Sequence, residues 1–570
     1  MKLSRFYIAI PALLLASALS LQAQSETDAF RLSQTGLAGS ARYQALAGAF
    51  TALGGDLSAI AYNPAATAVF HNSEFLYTMN VNSRNVNAQW FDREATNKKS
   101  GFHSGQVGIV ASFFDRSSDN SFNFAFNMNQ SYLYNRGVSI ASGRPTDYSL
   151  ADYTAACTPD GMAKDDFWPR NGYDPYNTPA SWLAVLGYQS GWTSAKQDAY
   201  GPYYASAYEY YDQSQGKYLP YGPANSKLQF SESGCSRNYD FSFGFNFKDL
   251  IYTGFSLKYV TTSMRYQSEY NESFPFNDYL NLRNQLFTRG DGFAFSVGMI
   301  GRPTDGLRLG FALESPTFYR LTDRFDAAGS SRYSQGVDKD GKLLPEKEWY
   351  YDAQTPQNAY YVYNLMTPMK ASLGIAYTYK NYGLISLDYS VTPYSMMHLS
   401  DDEGPLPSDN NAISKHYLAA HTFRAGIEVK PISRLAIRLG YMVQSAPSKD
   451  IDAMGKTNSE GGSIVAVPGI ISHEALGKTN SEGGSIVAVS GTIPHFEMKR
   501  GISAVTCGLG GYITKRFYTD LALVWSDQKS KVYTFPTFYD NSGNAVVTAP
   551  ESINLHQRDF TATLSLGIKF

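Results

Sequence analysis

The amino-acid sequence predicts an all-β protein: a transmembrane antiparallel β-barrel of about 14 strands with an amino-terminal plug in its lumen. Three observations carry this prediction. Apolar residues alternate with small or polar residues along most of the chain, the connections between these runs are short and long in turn, and the chain begins with a segment typical of export. Together they indicate strands that cross a membrane.

The carboxyl-terminal run FTATLSLGIKF shows the alternation most clearly. Every second residue from Phe560 to Phe570 is apolar, and the residues between them are small or polar, Lys569 included. Successive side chains in a strand point to opposite faces, so this strand has one apolar face. The same pattern recurs at Tyr239–Phe247, Phe293–Met299, Leu307–Leu313 and Phe423–Val429.

The opposite faces of these strands decide between a soluble sandwich and a barrel. One face is dense in Phe and Leu, whereas the other mixes small residues with charged ones, which suits lipid outside and a polar lumen inside. In hydrocarbon the sheet must also close, because unpaired edge groups have no partner there. The small and polar face includes Ser242, Gly244, Gly298, Arg308, Gly310, Arg424, Gly426 and Glu428.

The connections between strands support the same class. Short connections alternate with long polar segments, the longest of which is predicted from about Ser139 to Asn238, as in outer-membrane barrels with short periplasmic turns and long outer loops. Counting strands between them gives about 14, an even number that places both barrel ends on the periplasmic side. The predicted short connections are Asp115–Asn120, Lys248–Thr253, Gly301–Gly306, Lys380–Gly383, Lys430–Arg434 and Thr514–Arg516.

The chain divides into three predicted parts. Residues 1–23 form a signal peptide, because Lys2 and Arg5 precede an apolar run from Ile8 to Leu19 that is too short to span a bilayer. Residues 24–72 form a segment called here the hatch. Residues 73–570 form the barrel with long extracellular loops, and its first strand is predicted near Phe75–Val81. The expected location is therefore the cell outer membrane, with the chain crossing it many times.

Composition excludes several functional classes. The formal net charge of −2 gives no charge imbalance that would point to nucleic acid, and no cofactor or metal is expected, since no CxxC or HxxxH spacing occurs. No GxSxG motif is present and the eight histidines are scattered, so an enzyme is not expected. Cys157 and Cys235 either pair or remain free thiols; the sequence leaves both open.

The stretch SARYQALAGAFTALGGDLSAIAYNPAATAVF, from Ser40 to Phe70, predicts the plug. A barrel of about 14 strands has a lumen wide enough to leak unless something fills it. Small residues allow a compact segment to pack inside, and this stretch is rich in Ala and Gly. We expect Asp56 to cap a short helix over Leu57–Tyr62, which Pro64 would end.

Within this stretch, ALGGDLSAIAYNPAA resembles the amino-terminal hatch of the FadL/TodX outer-membrane transporters, including an Asn-Pro-Ala motif at Asn63, Pro64 and Ala65. Two hairpin segments, Gly301–Thr317 and Phe423–Pro447, resemble the same family. The long loops after Ser139, Tyr319 and Pro447 depart from its simplest members. The departures leave the outer binding surface, and hence the ligand, undefined.

The resemblance implies a monomer that takes up long-chain fatty acids or other hydrophobic small molecules by passive, hatch-gated diffusion. Beyond that ligand, the expected partners are outer-membrane lipid, lipopolysaccharide and the barrel-assembly machinery, for which the terminal aromatic Phe570 is a typical signal. A surface-exposed structural or adhesive barrel is the alternative, motivated by the Tyr-rich loop Asp198–Gly222. The segment GKTNSEGGSIVAV, repeated at Gly455–Val467 and Gly477–Val489, predicts a duplication within a surface loop.

In the family's scheme the ligand leaves sideways through a gap in the barrel wall. The segment FNFAFNMNQSYLY offers a candidate, because both faces turn polar from Asn127 through Asn129 to Gln130 and Ser131. The alternative is that these residues only mark the outer boundary of the membrane.

Overall fold

A computed structural model describes residues 26–115, 120–146, 148–159, 161–177, 180–197, 202–212, 214, 216–220, 222–333, 349–356, 359–449, 491–536, 538–539, 546–547 and 552–570. Within these residues, antiparallel strands form a closed barrel of 14 strands. Closure is made by the first and last strands, which pair from Glu74–Lys569 to Gln89–Asn554. The predicted fold class is confirmed.

The barrel strands follow one another around the wall in chain order. They are β1 Glu74–Trp90, β2 Arg93–Asp115, β3 Asn120–Ala141, β4 Asn225–Phe247, β5 Ile251–Ser273, β6 Tyr279–Gly301, β7 Leu307–Glu314 and Phe318–Tyr333, β8 Ala359–Met366 and Lys370–Tyr379, β9 Gly383–Pro393 and His398–Ser400, β10 Ala419–Ile432, β11 Leu435–Gln444, β12 Phe496–Tyr512, β13 Phe517–Tyr533 and β14 Ile553–Lys569. Three neighbouring strands, β7 to β9, are thus interrupted midway.

The two faces of the wall differ as the sequence predicts. Outward side chains such as Phe293, Phe295 and Leu564 are exposed, whereas Thr563 and Ser565, which point inward, are buried. An apolar outer surface on a closed sheet is stable only in lipid, because water would meet a continuous band of Phe, Leu and Ile. The chain is therefore a multi-pass barrel of the outer-membrane type.

Many strands are longer than the roughly 9–11 residues that span a bilayer. Strands β2, β4, β5 and β6 each have 23 residues, so they extend beyond the membrane. The predicted first long loop, Ser139–Asn238, is accordingly too long: β3 continues to Ala141 and β4 begins at Asn225. The loop predicted after Tyr319 begins only after Tyr333, because polar residues there still pair with β6. Alternation fades above the membrane although the sheet continues.

The remaining elements lie in the hatch or in the long connections. The long connections are at the end of the barrel opposite the short turns. The helices are α1 Glu26–Leu32, α2 Ala41–Ala45, α3 Leu150–Ala156, α4 Trp182–Gln189 and α5 Pro407–His416. Short 3-10 turns are Ala59–Ala61, Pro64–Val69, Lys164–Phe167, Pro175–Asn177, Pro275–Asn277 and Tyr394–Met396. Short outer strands are Thr193–Gln197, Pro202–Ser206, Glu209–Asp212, Lys217–Pro220, Trp349–Gln354, Phe538–Tyr539 and Val546–Val547.

No helix in the described part of the chain is long and apolar enough to cross a membrane. Cys157, Cys235 and Cys507 are all free, so the pairing of Cys157 with Cys235 does not occur. The signal peptide, the two repeats and part of the Tyr-rich loop lie outside the described residues.

Candidate functional site

The hatch lies inside the barrel and bonds to strands on all sides of it. Backbone N–H groups of the hatch donate to side chains of the wall: Ala41 N to Ser565 Oγ at 2.8 Å on β14, and Thr51 N to Asp388 Oδ2 at 2.7 Å on β9. On β3, Asn123 Nδ2 donates to the carbonyl of Thr67 at 2.7 Å. Contacts so widely spaced around the wall require the segment to occupy the lumen.

Eight inward glycines on eight strands receive the hatch, and together they are called here the glycine seat. At each of them a Cβ atom would lie less than 3.0 Å from a hatch atom. The hatch thus touches the wall backbone to backbone over much of its course. The glycine seat consists of Gly244, Gly254, Gly298, Gly310, Gly374, Gly426, Gly440 and Gly508. Four of these glycines appear in the predicted inward faces, but the sequence indicates only a polar lumen there.

The Asn63, Pro64 and Ala65 motif lies against this seat. The Asn63 side chain is buried; its Nδ2 donates to the Thr51 carbonyl at 2.6 Å, and its Oδ1 accepts from Ala65 N at 3.0 Å. One side chain therefore joins two turns of the hatch. A Cβ at Gly298 would collide with Asn63 Oδ1, and one at Gly254 would collide with the Pro64 carbonyl.

The local structure around the motif differs from the predicted helix. Instead of one helix over Leu57–Tyr62, the hatch has two short 3-10 turns. Pro64 begins the second turn rather than ending the first, since its fixed φ and missing N–H suit a first helical position. Asn63 caps the second turn, whereas Asp56 accepts from Ser58 N, two residues further on, as an N-terminal cap does, and also from Ser40 Oγ, each at 2.9 Å.

The predicted gap residues lie where two strands of the wall separate. Strand β2 pairs with β3 only from Asp115–Asn120 to Gln106–Asn129; beyond that point β2 pairs with β1 alone and β3 with β4 alone. Each strand has a bulge there, with Gly105 as the extra residue on β2 and Ser131 on β3. The stretch beyond Gln106–Asn129, where the backbones of the two strands are unpaired and Lys99 Nζ donates across to the Arg136 carbonyl at 2.9 Å, is called here the wall gap.

All four predicted gap residues are buried. Asn127 and Asn129 point into the barrel, where Asn127 Oδ1 accepts from Gln106 Nε2 at 2.7 Å. Gln130 and Ser131 lie at the edge of the wall gap. The polar stretch therefore coincides with a break in the sheet.

The hatch lies directly behind the wall gap. Gly36 N donates to the carbonyl of Ser131 at 2.8 Å, and Tyr132 OH donates to Gln34 Oε1 at 2.8 Å. Next to these bonds is a cavity of about 180 Å³, called here the upper cavity. Its lining joins the hatch residues Gln34–Ala38 to Gln130 and Ser131 of the gap. The same short hatch segment thus borders both the cavity and the gap.

A network of ion pairs holds the hatch toward the periplasmic end. Arg438 bonds Glu428 at 2.6 Å and Asp520 at 2.5 Å, and Arg42 of the hatch lies 3.5 Å from Glu428. Arg42 Nη1 also donates to the Gly55 carbonyl at 3.0 Å. A second cavity of about 260 Å³ adjoins this network. Charges that are paired inside the lumen fix the hatch there, because separating them would leave buried charge uncompensated.

The other end of the hatch docks on the extracellular helix α5. Phe30 packs between Tyr394 and Tyr417, with ring centroids 5.1 and 4.9 Å apart, and Glu26 contacts His416 Nδ1 at 2.9 Å. Burial raises the pKa of Glu26 well above its usual value, raises that of Asp409 to about 7 and lowers that of His416 to about 4. A neutral Glu26 that donates to a neutral His416 agrees with all three shifts.

We expect this docking to weaken as the pH rises. A carboxyl whose pKa is raised in the docked state binds a proton there, so its contribution is present at low pH and is lost as the pH rises through about 7. His416 acts oppositely below its free pKa, but the two carboxyl groups outweigh it. The protection factors of α1 amides, which correct exchange rates for the intrinsic pH dependence of exchange, should therefore be higher at pH 5 than at pH 8.

Asp409→Asn should reduce this pH dependence, whereas Glu403→Gln, on the exposed turn before α5, should leave it unchanged. Equal pH dependence in the wild type and in Asp409→Asn would assign the effect to other groups.

The fold and the site define a transmembrane β-barrel of the outer-membrane type whose own amino-terminal segment lies in the lumen. No protein-family model and no curated protein matches the chain. Similar solved structures include the toluene transporter TodX of P. putida (TM-score 0.45) and a FadL homologue of Pseudomonas aeruginosa (TM-score 0.48). The toluene transporter TbuX of Ralstonia pickettii has a TM-score of 0.45.

Each of these three proteins is 12% identical to this chain, and each comparison covers 94% of this chain and 99% of the other. They carry the names of the transporter family that the sequence resembles. At this identity the likeness is one of fold, and it assigns no ligand.

Proposed function

We propose that the protein takes up long-chain fatty acids or other hydrophobic small molecules across the outer membrane by passive diffusion gated by the hatch. The observation that carries this proposal is the bond from Gly36 N to the Ser131 carbonyl. This bond supports the proposal because it joins the hatch to the wall at a break in the sheet, so that a small shift of the hatch would connect the upper cavity with the surrounding lipid.

The lining of the upper cavity is mixed. Phe30, Tyr132 and Tyr394 contribute aromatic surface on which an apolar solute could pack, whereas Arg84, Asp559 and several amide side chains make the rest polar. A lateral exit into lipid delivers such a solute without passing it through water, where its solubility is low. Partition down a concentration gradient then suffices to drive uptake.

The size of the upper cavity bears on the ligand. A volume of about 180 Å³ is below the roughly 300–1,000 Å³ of pockets that enclose drug-sized ligands. It accommodates a small aromatic molecule or one segment of an acyl chain. A whole fatty acid would need the hatch to move first. The family resemblance implies that the protein acts as a monomer, and closure through β1 and β14 makes one chain sufficient for a complete barrel.

A disulfide across the hydrogen bond from Gly36 to Ser131 tests the proposal. Gly36→Cys and Ser131→Cys are combined in a chain whose native cysteines are replaced by alanine. Oxidation should fix the hatch against the wall gap and abolish uptake of labelled fatty acid or labelled toluene into proteoliposomes, and a reductant should restore it.

The two single-cysteine variants, treated identically, are the controls. Undiminished uptake in the oxidised double variant would contradict a route through the gap. A wild-type protein that transports neither solute would instead favour the structural or adhesive alternative.

A further inference from the structure

One sector of the outer surface carries an unusual concentration of arginine. On strands β4 to β7, four outward aromatic residues are paired side by side across the sheet: Tyr239, Tyr259, Phe293 and Phe318. The rings of Tyr239 and Tyr259 are 5.9 Å apart, and those of Tyr259 and Phe293 are 5.1 Å apart. Such a row marks the level at which the hydrocarbon ends and the lipid headgroups begin.

Directly beyond this row, toward the extracellular end, the same four strands present five exposed arginines. They occupy the next three outward positions of the wall, and the register shows that Arg237 lies level with Asp291 and Arg320, whereas Arg265 lies level with Arg324. The set, called here the arginine patch, consists of Arg237, Arg265, Arg289, Arg320 and Arg324. Within these three positions Asp291 is the single outward carboxylate.

Most of these guanidinium groups have no carboxylate partner. Arg320 lies 3.3 Å from Asp402, in a pair that is exposed on both sides. Arg265 lies over the ring of Phe287 at 5.9 Å. For Arg237, Arg289 and Arg324, no ion pair occurs with any residue that the structure describes. Five positive charges therefore stand against two negative charges, those of Asp291 and Asp402, at the membrane boundary.

We propose that the arginine patch binds the phosphate groups of a phosphorylated glycolipid of the outer leaflet, that is, lipopolysaccharide. The guanidinium group is suited to phosphate because it offers paired N–H donors in a fixed plane. The patch sits at headgroup depth, where an acyl-anchored phosphate lies and a soluble anion has no anchor. Strand spacing makes it about 14 Å wide and roughly 14 Å high, enough for more than one phosphate.

The patch adjoins an apolar surface on its membrane side, and this combination supports a lipid ligand. The aromatic row beneath it offers apolar surface to acyl chains, and the arginines above it offer charge to headgroups. Neither half alone distinguishes a lipid from an apolar solute or a free anion. This site lies on the outer surface of the wall and does not depend on whether the lumen transports anything.

The test combines Arg237→Gln, Arg265→Gln and Arg289→Gln in the full chain. Purified protein in detergent is titrated with rough lipopolysaccharide, with the same lipid after enzymatic dephosphorylation, and with inorganic phosphate, and binding is followed by native mass spectrometry. Since one basic residue at an anionic membrane surface contributes roughly fivefold, the triple variant should bind lipopolysaccharide about a hundredfold more weakly. Dephosphorylated lipid and inorganic phosphate should bind the wild type weakly.

The matched control is Lys98→Gln, Lys529→Gln and Arg558→Gln, which removes three exposed positive charges from strands β2, β13 and β14. This control should retain wild-type binding, and Asp291→Asn should strengthen it. Heat-modifiable migration confirms that each variant is folded. Equal binding by the wild type and the patch variant, or equal loss in the control, would overturn the site. Tight binding of inorganic phosphate would assign the patch to a soluble anion instead.

Discussion

Removal of residues 26–70 should convert a closed protein into a steadily conducting pore. The hatch supplies the backbone that the glycine seat receives, and without it those eight glycines would line an empty lumen. The strands do not depend on the hatch for their register, because β1 starts at Glu74 and pairs with both neighbours along its length. In planar bilayers, conductance should rise from near zero to values typical of porins.

The control for this deletion is a chain that lacks only Gly477–Val489, the second copy of the repeat, which should stay closed. A hatch deletion that folds and also stays closed would show that the outer loops seal the barrel. The segment would then not be the barrier, whatever its contacts.

Substitution of Gly254 and Gly298 by leucine should displace the hatch while leaving it attached. A side chain at either position would strike the Pro64 carbonyl or Asn63 Oδ1, and overpacking of this kind costs about 1–3 kcal/mol per site. Because Asn63 joins two turns of the hatch, both turns should shift together. We expect intermittent conductance and faster proteolysis of the hatch, with normal barrel insertion.

Gly301→Leu is the matched control for this substitution. It lies at the end of β6, where a Cβ atom meets nothing within 4 Å, so conductance should not change. If the double variant stays as closed as this control, the hatch must tolerate displacement without opening a path.

The sequence predicts the barrel well because lipid imposes a simple rule on it. A strand such as Phe560–Phe570 must alternate, since one face meets hydrocarbon and the other does not. Above the membrane the rule lapses. The sequence therefore predicts too early an end for β3 and too late a start for β4. Polar residues continue the sheet there, and no apolar face marks them as strand.

The candidate site is less accessible to such reasoning. The polar stretch Asn127–Ser131 points to the place where β2 and β3 separate, but the separation itself depends on bulges at Gly105 and Ser131 that no local pattern announces. The glycines of the seat are visible one by one as small inward residues. What they share is a contact with a segment far away in the chain, such as Gly298 with Asn63.

The two ends of the hatch are held by packing and ion pairs, whereas its middle is held by hydrogen bonds to the wall. The ion pairs of Arg42 and the glycine seat fix the part from α2 onward, and the packing of Phe30 fixes α1 beneath α5. Between these two parts, Ser33–Gly39 runs past the wall gap, where Gly36 donates to the Ser131 carbonyl and Gln34 accepts from Tyr132. In the proposed function, this segment can shift aside at the wall gap while the rest of the hatch continues to block the lumen. By this proposed route, a cell would admit a hydrophobic molecule sideways into the lipid while ions and water-soluble toxic compounds remain excluded.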